Sequence, residues 1–190
     1  RIASTLAELS QKFPDATIID LGGGLGIPEK DTQPALNLQQ MNITLQSIKK
    51  NYPHLSIWLE PGRFLCAQAG VLLCRVNQIK QKASITYVGV DAGMHTLIRP
   101  ALYSSYHPIV NLSKLHQPSN QLAHIVGPIC ESGDFLGHAR WFPQTSEGDI
   151  VLIANAGAYG SSMSSQYNLR PLAKEIALQL STTDIHSMAD

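Results

Sequence analysis

The chain has 190 residues, enough for one large domain or parts of two, and 44% of them are apolar against 15% charged. That balance describes a globular protein with material for a sizeable core. Lys plus Arg equals Asp plus Glu at 14 each, so no excess charge is available to grip nucleic acid or anionic lipid, and no apolar run approaches the roughly 20 residues that a membrane-crossing helix needs.

The first residue is Arg1, and Ile2, Leu6, Leu9 and Phe13 follow helical spacing at once, with no capping residue and no basic-then-apolar leader before them. The expectation is a sequence that begins inside a helix of a longer polypeptide. The spacing predicts that helix over about 2–12 and then an apolar strand, Thr17–Leu21, that runs into glycines. An amphipathic helix follows around Leu38, Met41, Leu45 and Ile48. The next predicted strand is Ser56–Leu59, ending in Glu60-Pro61-Gly62-Arg63. Strand, helix and strand with short connections describe βαβ units with parallel strands, and in such folds ligand groups collect at the carboxyl ends of strands.

After about Cys66 the pattern changes. Apolar and β-branched runs at Val71–Val76, Ser84–Val90, Leu122–Val126 and Asp149–Ala154 are separated by Gly, Pro, Asn and Ser stretches, as an antiparallel β domain requires. The expected organisation is therefore an α/β region over 1–65 and a β domain over 66–190. Tyr159–Tyr167 reads as a short helix stopped by Pro171, and Lys174–Leu180 is ambiguous, since alternation and helical spacing each fit it in part. Cys66, Cys74 and Cys130 form no CxxC pair and are odd in number, which argues against a disulfide framework or zinc cage and fits a reducing, cytoplasmic setting.

Five segments carry candidate chemistry. Gly22-Gly23-Gly24-Leu25-Gly26 follows a strand directly, so its amides are placed either to cradle a phosphate or simply to turn the chain. It is not a dinucleotide fingerprint, because Ile27 stands where glycine is needed. Glu60-Pro61-Gly62-Arg63 reads either as a surface ion pair or as a site. In the second case Glu60 holds a protonated ring nitrogen, and Gly62 and Arg63 face a phosphate or carboxylate. Arg99, ahead of Tyr103, has the fork that clasps a carboxylate, unless it is merely exposed. Tyr159 stands among small residues in Ala156-Gly157-Ala158-Tyr159-Gly160, as a tight turn or as a ligand contact. Gly127-Pro128-Ile129-Cys130-Glu131-Ser132-Gly133-Asp134 gathers a thiol, two carboxylates and a hydroxyl in a tight backbone. That segment is a polar turn or a site; Cys130 stands where a G-x-S-x-G nucleophile elbow needs glycine, which disfavours a serine hydrolase.

Taken in order, LGGGLG, EPGR, DAGM with IRPALY, GPICESGD and NAGAYGSSMSSQYN resemble the diaminopimelate decarboxylases, pyridoxal-phosphate enzymes with the alanine-racemase-type fold. The resemblance implies a (β/α)8 barrel, of which this chain holds the C-terminal part, followed by an antiparallel β-barrel-like domain. It implies pyridoxal 5'-phosphate as cofactor, held by Gly24, Glu60, Pro61, Gly62, Arg63 and Tyr159, with Glu60 at the pyridine nitrogen. It implies substrate contacts from Arg63, Arg99, Tyr103, Glu131 and Tyr159, and Cys130 as proton donor after decarboxylation. Cys130 and Glu131 would reach the site of a partner subunit in a homodimer. A far end carrying both carboxylate and ammonium suits Arg99 together with Glu131, which is diaminopimelate. The family's Schiff-base lysine motif is not found around Lys12, Lys30, Lys49, Lys50, Lys80, Lys82, Lys114 or Lys174, so that lysine is expected upstream, and the chain alone is expected to be inactive. A related decarboxylase of another basic amino acid or carboxylated polyamine, and a non-catalytic homologue, are the competing readings.

Overall fold

A computed structural model describes residues 2–30 and 32–179. Helix α1 (Ile2–Ser10) buries Ala7 and Ser10, whose hydroxyl donates to Ala7 O at 2.7 Å. Strand β1 (Ile18–Asp20) leads, after a glycine-rich loop, to α2 (Leu38–Asn51). The start of α2 is set by Asn37, whose side-chain oxygen accepts from Gln40 N at 2.8 Å, as an N-cap does. Strand β2 (Ser56–Trp58) pairs parallel with β1 in the register Ile18↔Ser56 to Asp20↔Trp58. Ala7, Ile19, Ile48 and Leu55 form the core of this α/β region; of the apolar positions read as helical spacing, Ile48 is buried, whereas Ile2, Leu9, Phe13 and Leu38 are exposed, and α1 packs instead through Ala7.

Short helix α3 (Gly62–Cys66) and a 3-10 turn at Ala67–Ala69 lead into a six-stranded sheet. Its strands are β3 (Leu72–Lys82), β4 (Ile85–Val90), β5 (Ile109–Asn111), β6 (Gln121–Val126), β7 (Phe135–Phe142) and β8 (Ile150–Ile153), in the order β5-β8-β3-β4-β6-β7. The edges approach each other: a Cβ on Gly137 of β7 would lie 2.7 Å from Ile109 Cδ1 of β5, so the sheet nearly closes. Val76, Val88, Val90, Ile125, Leu136, Phe142, Val151 and Ile153 fill its interior, none more than 1% exposed.

Here the structure corrects the expectation of an antiparallel sheet. β4 and β6 run parallel, Thr86↔Ala123 to Gly89↔Val126. The chain between them carries α4 (Arg99–Tyr103) and β5, a crossover long enough to return in the same direction, where a hairpin turn would not be. β7 and β5 fall outside the apolar runs read from the sequence. β7 is interrupted by Gly137, His138 and Arg140, and it bulges against β6, with Ala139 at φ +46°. The expected helix at Tyr159–Tyr167 is instead two 3-10 turns, Ser161–Met163 and Tyr167–Leu169. Residues 171–179 have no regular structure, and Leu180 lies outside the described residues.

The chain after β8 is tied to the connection between α3 and β3 at a glycine seam. Gly157 N donates to Ala67 O at 3.0 Å and Ala156 N to Gly70 O at 2.9 Å. A Cβ on Gly157 would collide with Cys66 O, so only glycine lets the two backbones meet there.

Candidate active site

The carboxyl ends of β1 and β2 are joined backbone to backbone. Asp20 Oδ1 accepts from Gly22 N at 2.8 Å and turns the chain out of β1. Leu21 N donates to Trp58 O at 3.0 Å and Glu60 N to Gly22 O at 2.8 Å. Gly22 and Gly24 take φ of +68° and +78°, and a Cβ on Gly23 would sit 2.6 Å from Glu60 O. The glycines at 22 and 24 serve a left-handed backbone and the one at 23 serves close approach. Around Gly24 and Gly26 an added Cβ meets nothing within 4 Å, so the outer side of the loop is open.

Three other elements converge on this corner. Glu60 is exposed, and its carboxylate has no hydrogen bond or ion pair among the described residues. Pro61 starts α3, and Gly62 lies beneath Tyr159, whose hydroxyl would be 3.5 Å from a Cβ at that position. Tyr159 holds φ +61°, a left-handed conformation that a tyrosine adopts only where its surroundings impose it. The Arg99 guanidinium is 5.4 Å from the Tyr159 ring centroid and 5.8 Å from that of Tyr103, and Arg99 Nη2 donates to Ser105 Oγ at 3.3 Å. Gly24, Glu60, Pro61, Gly62, Arg63, Arg99, Tyr103 and Tyr159 therefore belong to one neighbourhood built from β1, β2, α3, α4 and the chain after β8.

Arg63 and Arg99 line one small pocket with Glu29, Tyr106, His107 and Asn155. The Arg63 Nη1 donates to Glu29 Oε1 at 2.7 Å, with both side chains about one-third exposed. Glu29 escaped the sequence reading because its partner lies 34 positions away; its signal is an acid placed shortly after the glycine loop. The His107 Nδ1 donates to Ala154 O at 2.9 Å. Burial pushes the His107 pKa below its ordinary value, an effect only partly offset by that backbone bond.

The Gly127–Asp134 turn is a second, separate cluster. Asp134, 3% exposed, spends its carboxylate on the backbone: Oδ1 accepts from Met94 N at 2.6 Å and Oδ2 from Ile129 N at 2.8 Å. Cβ atoms at Gly93 or Gly127 would strike that carboxylate, so both glycines make room for it. The turn closes with Gly127 N to Asp134 O at 2.9 Å, Glu131 N to Ile129 O at 2.8 Å and Asp134 N to Glu131 O at 3.2 Å. Of the four polar side chains grouped in the sequence, Asp134 is the internal clamp, while Cys130, Glu131 and Ser132 are exposed at the tip. The Tyr167 hydroxyl donates to Glu131 Oε1 at 2.5 Å. Its pKa is raised, first by that hydrogen bond and then by the Glu131 charge. Among the described residues no hydrogen bond, ion pair or ring contact links Cys130 or Glu131 to the Glu60–Tyr159 cluster.

Comparison with known proteins identifies the class. Residues 16–157 match the family described as pyridoxal-dependent decarboxylase, C-terminal sheet domain, and the chain belongs to that family. Within it, the chain is 40% identical over 181 residues to the diaminopimelate decarboxylase of Aquifex aeolicus, covering 94% of this chain and 42% of that one. It is 44% identical over 160 residues to the diaminopimelate decarboxylase of Neisseria meningitidis, covering 83% and 37%. The crystal structure of diaminopimelate decarboxylase from Helicobacter pylori complexed with L-lysine matches with a TM-score of 0.83 and 32% identity, over 93% of this chain and 44% of that one. The chain thus spans less than half the length of these relatives.

Proposed function

We propose that this chain is the C-terminal part of a diaminopimelate decarboxylase, which converts meso-2,6-diaminopimelate to L-lysine and carbon dioxide with pyridoxal 5'-phosphate, in the last step of lysine biosynthesis. The segment up to Leu65 then belongs to the (β/α)8 barrel and the sheet from Cys66 onward to the β domain. The remainder of the polypeptide carries the Schiff-base lysine. The observation that supports this reading most is the convergence of the open glycine loop, the Glu60 carboxylate, unpaired among the described residues, and the Tyr159 hydroxyl over Gly62, delivered by three separate elements.

The residues fit the cofactor. An unpaired carboxylate at a strand end suits a protonated ring nitrogen, and an open loop of glycine amides beside a phenol hydroxyl suits a phosphate. When bound, pyridoxal phosphate supplies the electron sink for the bond that breaks. Glu60 keeps the proton on the ring nitrogen, since a nearby negative charge favours the protonated form. Gly24, Gly62, Arg63 and Tyr159 hold the phosphate and keep the ring in place. Arg99, with Tyr103 beside it, clasps the far carboxylate of the substrate through its guanidinium fork. Arg63, already paired with Glu29 through one nitrogen, adds positive charge to the same pocket.

Glu131 takes the far ammonium and Cys130 returns a proton to the former α-carbon, as a general acid in reach of that atom does. Their separation from the Glu60 cluster within one chain supports a homodimer in which each tip enters the partner subunit's site, with the enzyme in the cytoplasm. Among the described residues no helix is long and apolar enough to cross a membrane. The test is turnover by the full-length polypeptide that contains this chain. Carbon dioxide and lysine from meso-2,6-diaminopimelate, with ornithine and carboxylated polyamines poor by comparison, support the reading; preference for either of the latter removes it.

A further inference from the structure

The tip that carries Cys130 and Glu131 is anchored twice on a single turn. Met94 N donates to Asp134 Oδ1, which holds the Gly127–Asp134 segment. Ser165 N donates to His95 O, the next residue of that turn, at 2.8 Å and holds the segment that ends in Tyr167. Thr96 Oγ donates to Gly93 O at 2.9 Å, and Thr96 N and Leu97 N donate to the same carbonyl, so the turn itself is rigid. The bond from Tyr167 to Glu131 closes a ring that runs through Met94, Asp134, Glu131, Tyr167, Ser165 and His95.

Within that ring the Glu131 backbone is already fixed on both sides, by its own N–H and by its carbonyl. What remains free is the side chain, an exposed glutamate with three torsions. A free carboxylate on a flexible stem loses conformational entropy whenever it grips a ligand. The Tyr167 hydroxyl removes that freedom in advance. It occupies Glu131 Oε1 and leaves Oε2 without a partner among the described residues. The turn that delivers the hydroxyl is strained: Asn168 and Leu169 follow at φ +55° and +58°, and Leu169 is 95% exposed. A leucine in the left-handed region, with no packing to hold it there, marks a backbone bent for what it presents.

Resting on the reading of Glu131 as the holder of the far ammonium, we propose that Tyr167 is a positioning residue that orients the Glu131 carboxylate and thereby sets the preference for a substrate with an amino group at that end. Both residues come from the same chain, so they travel together into whichever site the tip enters. The bond is present while the phenol is protonated and is lost as pH rises past the raised Tyr167 pKa, where phenolate and carboxylate repel.

The test is Tyr167→Phe in the full-length enzyme, a change that removes only a half-exposed hydroxyl. KM for meso-2,6-diaminopimelate rises about ten-fold, the scale of one hydrogen bond to a charged group, while kcat stays within about two-fold. With 2-aminopimelate, which lacks the far amino group, kcat/KM changes by less than about two-fold. In a Glu131→Gln background the same change adds nothing further, because the two residues act as a unit. The melting temperature is unchanged throughout, which a merely structural tyrosine would not allow. An active wild type whose KM is unmoved by Tyr167→Phe, or equal losses with both substrates, overturns this inference alone. A wild type inert toward meso-2,6-diaminopimelate overturns the functional reading and this inference with it.

Discussion

The glycine loop after β1 and the tip between β6 and β7 are both tight turns at strand ends, yet they are anchored to their neighbours by different means. The loop, turned by Asp20 Oδ1, is joined to the end of β2 by backbone on backbone, Glu60 N to Gly22 O and Leu21 N to Trp58 O, and its outer face is left bare. The tip, closed by its own backbone bonds, is anchored by one buried side chain, Asp134, whose two oxygens gather amides from Met94 and Ile129. A bare backbone suits a ligand that is mostly phosphate and ring. A tip with a charged internal clamp suits the presentation of side chains to something outside the chain. The difference teaches that the two candidate clusters are distinct devices, connected through the sheet and through the segment from Tyr159 to Tyr167 that ends in the bond to Glu131.

The contrast breaks most visibly at the clamp. Asp134→Ala leaves one buried amide, at Ile129, and one half-buried amide, at Met94, without acceptors and destabilises the folded protein by about 3–5 kcal/mol, read from chemical denaturation of the full-length polypeptide. A loss under about 1 kcal/mol would mean the tip is held elsewhere. Next comes Gly23→Ala, which forces a Cβ against Glu60 O. It costs about 1–3 kcal/mol and weakens cofactor retention, measured by absorbance after dialysis, while the tip is untouched. Gly24→Ala meets open space and bears only the strain of φ +78°, about 1–2 kcal/mol. Equal effects at positions 23 and 24 would contradict the account of the loop.

Smaller effects sharpen the same picture. His95, His107 and His124 all have pKa values lowered first by burial. The fold favours their neutral rings, so the unfolded chain binds more protons as pH falls through the ordinary histidine pKa near 6.5. Their contribution to stability is full above about pH 6.5 and is lost progressively below it, visible as a falling melting temperature. Smallest is thiol chemistry. Cys74 is buried under Val151 O and its pKa is pushed up to about 12 by burial and then by Asp91, whereas Cys66 and Cys130 are exposed. A thiol reagent at neutral pH labels Cys66 and Cys130 of this chain and spares Cys74, as peptide mapping would show.

Much of this was legible in the sequence because it is local. The helical spacing of Leu38, Met41, Leu45 and Ile48 and the strand-then-glycine pattern at Ile18–Gly24 appear where expected, α2 with its Asn37 cap. The residues resembling a cofactor corner do gather: Tyr159, nearly one hundred positions after Gly62 by its number, stands over it. What was not legible depends on partners distant in sequence. The parallel pairing of β4 with β6 follows from how the crossover returns, which no turn signal announces. The roles of Glu29 and Tyr167 rest on contacts 34 and 36 positions away. Asp134 read as one more polar group in a cluster; only burial reveals that it is spent on backbone amides. The Tyr159–Tyr167 helix failed because Ser164 takes an extended backbone, φ −68° and ψ 156°, which ends the first 3-10 turn before the second begins at Tyr167.

The most direct measurement tests the proposed homodimer, as decarboxylase activity after mixing two variants of the full-length polypeptide. Glu60→Ala disables the cofactor corner and Cys130→Ala the tip, and each variant alone is expected to be inactive. If the two clusters of one chain serve different sites, co-refolding equal amounts restores about a quarter of wild-type turnover, because half the dimers assemble with one intact site in two. No activity above either parent would contradict the account, since it would mean that Glu60 and Cys130 serve a single site within one chain or that one of them serves none.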